Sequence, residues 1–137
     1  MVDSYELFLG KTYQDLLKEA AFLSLIGGNV PENVDKGLDD FYIISDSNQA
    51  ECIFNKKTQM LQAILFRKNS SGIFPKGLNA NMNADEVRNI LGCPIESISA
   101  RKLPVLGMAP PFDKFEQNLE VTYSIEAGLV EEVRFSL

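Results

Sequence analysis

The stretch 119-LEVTYSIEAGLVEEVRFSL-137 decides the fold, because it contains two apolar segments separated by a short polar turn. Residues 119–125 and 129–137 are rich in β-branched and aromatic side chains, and Glu126–Gly128 has the composition of a turn. The pattern predicts a β-hairpin.

Alternation along the second strand predicts an antiparallel sheet with one apolar face and one mostly polar face. The apolar face is expected to hold Leu129, Glu131 near its rim, Val133, Phe135 and Leu137, and the polar face Val130, Glu132, Arg134 and Ser136.

An earlier stretch, 52-CIFNKKTQMLQAILFRK-68, aligns with residues 121–137 without gaps. Its apolar, polar and turn positions coincide with those of the later stretch, although few residues are identical. We therefore predict one domain over residues 1–137 that consists of tandem pseudo-repeats at about 1–70 and 71–137. The alternative is that two amphipathic hairpins look alike by chance.

A capped helix precedes each hairpin at nearly the same distance. In 83-NADEVRNILGCP-94, Asn83 and Glu86 have the spacing of a capping box, and Gly92 and Pro94 end the helix. Upstream, Thr12 begins a second helix, expected over residues 13–22.

The remaining patterns complete an α+β prediction in which the helices pack on one face of the sheet. Strands are expected at 41–45, 50–55, 60–68 and 95–103, a short helix at 4–9, and loops at 29–40, 69–77 and 104–115.

Composition favours a protein partner over nucleic acid. The 137 residues have a net charge of −6, whereas phosphate binding needs clustered Lys and Arg. Negative charge suits a basic protein partner, and it also suits solubility alone.

Catalytic and metal-binding groups are scarce, so we expect no enzyme activity, no cofactor and no metal. The sequence has no His, which is the commonest general base and metal ligand. Cys52 and Cys93 are far apart and are expected to be buried, reduced thiols. The alternative is an enzyme that acts through the carboxylates of Asp39 and Asp40, although loop carboxylates are usually solvated.

The N-terminus shows no targeting leader, and the longest apolar run, 20-AAFLSLI-26, is too short to span a bilayer. We therefore expect a cytoplasmic protein without a membrane partner.

Two family resemblances add to these expectations. The residues Glu86, Val87, Leu91, Gly92 and Pro94 resemble the x-x-E-V-x-x-x-L-G-x-P helix end of β-lactamase-inhibitor-protein-like domains and small outer-membrane assembly lipoproteins. Their G-x-V-x-x-V-x-F strand pattern is matched by Gly128, Val130, Val133 and Phe135. This resemblance implies the helix-plus-sheet repeat and little about function.

The opening FLGKTYQDLLKEA, above all Leu9–Gln14, resembles the small bacterial proteins known as pyocin immunity proteins. That family implies a protein that binds and neutralises one cognate bacterial toxin. We expect the toxin to be basic, for example a nuclease, and to be covered at its active site by an acidic face.

The predicted partner-binding set combines carboxylates near the strands with aromatic anchors. It comprises Asp39, Asp40, Tyr42, Asp46, Glu51, Phe112, Phe115, Glu116, Glu120, Glu131 and Glu132. A solvated sheet face is the alternative for the carboxylates. The alternative function is a structural adaptor of an envelope or secretion assembly, and a homo-oligomer is left open.

Overall fold

A computed structural model describes residues 4–137 of the chain. As predicted, the fold is α+β: eight strands belong to one antiparallel sheet, and two further strands form a separate hairpin. The chain divides into two compact units, which we call unit 1 (residues 1–66 and 135–137) and unit 2 (residues 67–134). Residues 1–3 lie outside the described residues, and they belong to the N-terminal stretch for which we expect no targeting leader.

Unit 1 begins with a 3-10 turn over Tyr5–Phe8, followed by α1 (Tyr13–Leu16) and α2 (Ala20–Leu25). The single helix expected over residues 13–22 is therefore wrong, because the chain becomes extended at Glu19 (φ −104°, ψ 119°). The Glu19 carboxylate accepts hydrogen bonds from Lys11 Nζ at 3.0 and 3.2 Å. Thr12 caps α1 as predicted, since its hydroxyl oxygen accepts the N–H of Asp15.

Four strands of unit 1 pair with their chain neighbours in the order β1-β2-β3-β4. They are β1 (Asn33–Lys36), β2 (Asp40–Ser45), β3 (Ala50–Asn55) and β4 (Leu61–Arg67). The last three match the predicted strands. The expected loop at 29–40 contains β1, whose four residues are all exposed. Backbone pairing with β2 makes this strand, so no burial pattern marks it in the sequence.

The core of unit 1 follows the alternation of β3, where Ala50, Cys52 and Phe54 are buried. Phe54 stacks on Phe41 at 4.8 Å between ring centroids and meets Phe22 edge-on. Burial raises the pKa of the Cys52 thiol to about 12, so this thiol stays protonated at neutral pH.

Unit 2 contains a 3-10 turn over Pro75–Gly77 and the helix α3 (Ala84–Leu91). The predicted capping box is confirmed. The Asn83 side chain accepts the N–H of Glu86 at 2.9 Å, and the Glu86 carboxylate accepts the N–H of Asn83 at 3.3 Å. Gly92 ends the helix with φ 93°, a conformation that favours glycine.

Most of β10 belongs to unit 2, whose strands form the order β5-β8-β9-β10. Within residues 4–137, β6 pairs with β7 alone. The strands are β5 (Glu96–Ile98), β6 (Arg101–Leu103), β7 (Gly107–Ala109), β8 (Phe112–Phe115), β9 (Leu119–Tyr123) and β10 (Val130–Ser136). The single strand expected at 95–103 is in fact two, and the expected loop at 104–115 contains β7 and β8. A charged residue at a core position, Asp113, conceals the period of β8.

The final strand does not alternate strictly. Val130, expected on the polar face, is buried, as is Val133 three positions later. The irregularity falls at Glu131–Glu132, where the burial pattern loses its period of two. Leu137, expected on the apolar face, lies beyond the end of β10 and is exposed.

None of the helices within residues 4–137 has the length and apolar character needed to cross a membrane.

Candidate functional site

The partner-binding residues predicted from the sequence divide between the two units. Unit 1 contains Asp39, Asp40, Tyr42, Asp46 and Glu51, and unit 2 contains Phe112, Phe115, Glu116, Glu120, Glu131 and Glu132. Each group is described by itself below.

In unit 1, strand register places Tyr42 and Glu51 on the same side of the sheet. Tyr42 lies opposite Ile53 and next to Asp35, while Glu51 lies opposite Ile44. On the other face, Ile43 and Ser45 of β2 and the alternate residues of β3 are buried, whereas Tyr42 and Glu51 are half-buried. The outer side of unit 1 therefore presents a tyrosine with a carboxylate on each side.

The turn that joins β1 to β2 is fixed by several contacts. The N–H of Gly37 donates to the carbonyl of Asp40 at 2.9 Å, and Lys56 donates from its backbone N–H to the carbonyl of Asp39 at 2.9 Å. A Cβ on Gly37 would lie 3.2 Å from the ring of Tyr42, so the ring lies close over the glycine. Leu38 sits in this turn and is 95 % exposed.

Asp46 lies at the opposite end of β2 from Asp39 and Asp40. A six-residue strand spans roughly 20 Å, so the carboxylates of the first half do not form one cluster. Asp46 accepts a hydrogen bond from the Asn33 amide at 3.1 Å. This carboxylate is therefore engaged within its own loop network.

The same loop network is organised by Glu32, which sequence reasoning did not select. Its carboxylate accepts hydrogen bonds from the backbone of Asp46 at 2.8 Å and of Ser47 at 3.2 Å, and from the Ser47 hydroxyl. The bond from the Ser47 hydroxyl is the main cause that lowers the pKa of Glu32. These hydrogen bonds thereby favour the ionised form of Glu32.

In unit 2 the two predicted aromatic anchors differ in exposure. Phe115 is 5 % exposed and belongs to the core, so it offers no surface to a partner, and the prediction for it is corrected. It follows Asp113 at the alternate position of β8, both facing inward. Phe112 is half-buried, with Arg101 and Lys114 over its ring at 5.6 and 5.9 Å.

The carboxylates of unit 2 are interleaved with cations. Lys114 lies directly opposite Glu120 in the β8–β9 pair, and Arg67 Nε is 3.7 Å from the Glu132 carboxylate. Burial raises the pKa of Glu132, which Arg67 partly offsets. Glu116 and Glu131 are exposed. Glu120 and Glu132 therefore each have a cation beside them.

Net charge is unequal between the units. The sequence of unit 1 has ten Asp and Glu residues against five Lys and Arg, a formal charge of −5. The sequence of unit 2 has nine against eight, a formal charge of −1. The negative charge of the chain is thus carried largely by unit 1.

One polar centre in unit 2 was missed from the sequence. Asp113 is 1 % exposed and accepts hydrogen bonds from Arg88 at 2.9 and 3.0 Å and from the Tyr123 hydroxyl at 2.9 Å. Arg88 also donates to the Ser97 hydroxyl at 3.1 Å. Three strands and α3 meet at this carboxylate, which makes it a structural centre of the unit.

The hydrogen bonds decide the charge state of this centre. Burial by itself would raise the pKa of Asp113, but the bonds from Arg88, Ser97 and Tyr123 outweigh it and hold the pKa below its usual value. Burial, with the bond to Asp113, raises the pKa of Tyr123. Asp113 is therefore ionised and Tyr123 neutral at neutral pH.

Cys93 is exposed, which corrects the expectation of a buried thiol, and Cys52 is buried as expected. Among residues 4–137, no three His, Cys, Asp or Glu side chains are grouped so that they could hold a metal ion. Comparison of the chain with family models, with curated proteins and with solved structures gives no match.

Proposed function

We propose that this chain is an immunity protein that binds a cognate bacterial toxin through the outer surface of unit 1. The observation that carries the proposal is the charge of unit 1, with ten acidic residues against five basic ones. A basic toxin, such as a nuclease with a phosphate-binding groove, is the class of partner that this charge attracts.

The local chemistry of this surface suits a protein interface. Leu38 is 95 % exposed in the turn between Asp35 and Asp39, and Tyr42 lies opposite Asp35 in the β1–β2 pair. Interfaces commonly combine an aromatic or apolar centre with a polar rim, and tyrosine is enriched among residues that dominate binding energy. We assign Tyr42 the role of anchor and Asp39 and Asp40 the role of steering charges.

The sequence adds support from its N-terminal stretch. Leu9–Gln14 resembles the pyocin immunity proteins, whose members neutralise one toxin each by binding it. In unit 1 this stretch is tied to β4, since the N–H of Gly10 donates to the carbonyl of Leu61 and the N–H of Leu61 donates to Lys11. The residues just before α1 are thus hydrogen-bonded to the start of β4.

We also infer that the scaffold arose by tandem duplication of a helix–hairpin unit. The two N-caps each bridge to the residue before the last strand: Thr12 to Met60, and Asn83 to Leu129. Three pairs of backbone hydrogen bonds occupy equivalent positions. In the first pair, the N–H of Leu61 donates to the carbonyl of Lys11, as that of Val130 does to Met82. In the second, Asn55 donates to Met60 as Ser124 does to Leu129, and in the third, Gln59 donates to Asn55 as Gly128 does to Ser124.

The proposal is tested with the toxin domains encoded beside the gene. Purified chain is titrated against each domain, and cells that express the domain are scored for survival with and without the chain. We expect one domain to bind and its toxicity to be suppressed. The association rate should fall as salt is added, because exposed charges more than a Debye length apart are screened.

Two variants and one matched control locate the surface. Asp39→Asn with Asp40→Asn should slow association by about tenfold with little change in dissociation. Tyr42→Ala should instead speed dissociation, as for an anchor residue. Glu116→Gln removes an exposed carboxylate of unit 2 and should leave both rates unchanged. Absence of binding to every neighbouring toxin domain, together with absence of protection, contradicts the proposal.

A further inference from the structure

The β6–β7 hairpin has no role in the proposed function. We call residues 101–109 the arm: β6, the turn Pro104–Leu106, and β7. Among the described residues, the two strands pair only with each other. At its root, Ala109 is buried and Arg101 lies over the ring of Phe112. The arm is therefore fixed at its base and solvated at its tip.

The tip of the arm is apolar and exposed. Val105 is fully exposed, Leu106 is 81 % exposed, and Met108 is about half exposed. The N–H of Leu106 donates to the carbonyl of Pro104 at 2.7 Å, which closes a three-residue turn around Val105. Val105 has φ 68°, a conformation that β-branched residues rarely adopt. The turn thus presents two large aliphatic side chains to solvent on a tight loop.

The arm is cationic, although the chain is acidic. Arg101 and Lys102 lie in β6 near the root, and residues 97–112 contain no Asp or Glu. Both basic side chains are exposed. An apolar tip with cations set back from it matches the order of layers in a bilayer with anionic headgroups, where acyl chains lie beneath the phosphates.

The composition of the tip favours a lipid partner over a protein partner. Residues that dominate protein interfaces are enriched in Trp, Tyr and Arg, while Leu and Val are under-represented. Leu and Val enter hydrocarbon favourably, and no aromatic residue lies between Arg101 and Ala109.

We propose that the arm is a membrane-docking element that inserts Val105 and Leu106 into an anionic lipid surface while Arg101 and Lys102 contact lipid phosphates. The inference goes beyond the proposed function and departs from the expectation of no membrane partner. It concerns attachment at a bilayer surface and requires no spanning helix.

The test is co-sedimentation with vesicles of phosphatidylcholine alone or mixed with phosphatidylglycerol. The wild-type chain should sediment with the mixed vesicles and remain in solution with the neutral ones. Val105→Asn with Leu106→Ser should lower the partition coefficient by about tenfold or more, because two apolar side chains no longer leave water. Asn tolerates positive φ, so this variant should keep the turn. Arg101→Gln with Lys102→Gln should also lower the partition coefficient by about tenfold, because the cations that contact lipid phosphates are lost.

Leu38→Ser is the matched control, since Leu38 is an exposed leucine in a turn of unit 1. It should sediment as the wild type does. Circular dichroism of each variant checks that it is folded. The proposal is overturned if the wild-type chain stays in solution with both vesicle types. It is also overturned if Leu38→Ser lowers the partition coefficient as much as the tip variant does. Self-association that depends on Val105 in sedimentation velocity, without vesicle binding, assigns the tip to a protein partner and also overturns it.

A second readout follows from the absence of tryptophan in the sequence. Leu106→Trp places a single fluorophore at the tip, and its emission should shift to shorter wavelength on addition of the mixed vesicles. Leu38→Trp should show no shift. An unshifted Leu106→Trp spectrum under conditions where the protein sediments shows that attachment occurs elsewhere and refutes tip insertion.

Discussion

At the scale of single residues, Asp113 connects α3 to the sheet of unit 2 through Arg88. An ionised carboxylate is costly to bury unless it is paired and hydrogen-bonded, and here both conditions are met. The pair is asymmetric, because the side chain of Asp113 is 2 % exposed and that of Arg88 is 37 % exposed. Water therefore still reaches the guanidinium, which reduces what the ion pair contributes to stability.

We expect Asp113→Asn to lower the free energy of unfolding at neutral pH by about 2 kcal/mol, because Arg88 loses its charged partner and Tyr123 its acceptor. The pKa of Asp113 is lowered in the folded state, whereas the unfolded value is about 3.9. The contribution is therefore present above about pH 4 and is lost as the pH falls through the folded pKa. Urea unfolding at a series of pH values measures it.

The exposed Asp85 of α3 provides the control for that series. Asp85→Asn removes a carboxylate from the same helix and should shift the urea midpoint only slightly. For Asp113→Asn, the difference in free energy of unfolding from the wild type should become smaller at acidic pH. A difference that stays constant down to acidic pH means that the loss comes from packing and not from ionisation.

At the scale of elements, the N-cap of α3 makes a separable contribution to stability. Asn83→Ala removes the acceptor for the N–H of Glu86 and should destabilise the protein by about 1 kcal/mol. Asn89→Ala, at an exposed position within α3, should be neutral or slightly stabilising, because Ala has the higher helix propensity. Thermal unfolding of both variants measures this difference. Equal melting temperatures for Asn83→Ala and Asn89→Ala would show that the cap does not contribute to stability.

The elements that local chemistry determines were predictable from the sequence. The capping box of α3 and the strands β2, β3, β4, β9 and β10 have local signals, in caps, alternation and turn residues. β1 and β8 lacked such signals. β1 is exposed throughout and forms by backbone pairing, while β8 buries Asp113 at a position where alternation predicts an apolar residue. The break at Glu19 likewise has no Gly or Pro to announce it.

The candidate surface was predictable in part for the same reason. Asp39, Asp40 and Glu51 were selected for their charge and Tyr42 for its aromatic ring. The strand register places Tyr42 and Glu51 on one side of unit 1. Phe115 could not be assigned to the core, because β8 itself was not predicted. The Arg88–Asp113–Tyr123 centre joins residues far apart in sequence, and only strand pairing brings them together.

At the scale of the whole molecule, the proposed duplication makes the two hairpin turns comparable. Gln59 and Gly128 occupy aligned positions with nearly the same left-handed backbone, φ 59° and 68°. Each donates its N–H to the carbonyl four residues earlier, Asn55 or Ser124. One copy thus has glycine where the geometry favours it, and the other holds a side chain in a conformation that L-residues rarely adopt.

Exchange of these residues should change stability in opposite directions. A Cβ on Gly128 would meet no atom within 4 Å, so Gly128→Gln adds only backbone strain and should cost about 1 kcal/mol. Gln59→Gly relieves the same strain, partly offset by the entropy of glycine, and should stabilise by up to about 0.5 kcal/mol. Urea unfolding of both variants measures the pair. Asparagine tolerates the left-handed region, so the stability of Gly128→Asn should lie between those of Gly128→Gln and the wild type. Because the turns are matched in hydrogen bonding and φ, a neutral Gly128→Gln or a strongly destabilising Gln59→Gly would mean that they are not equivalent, and the duplication would lose this support.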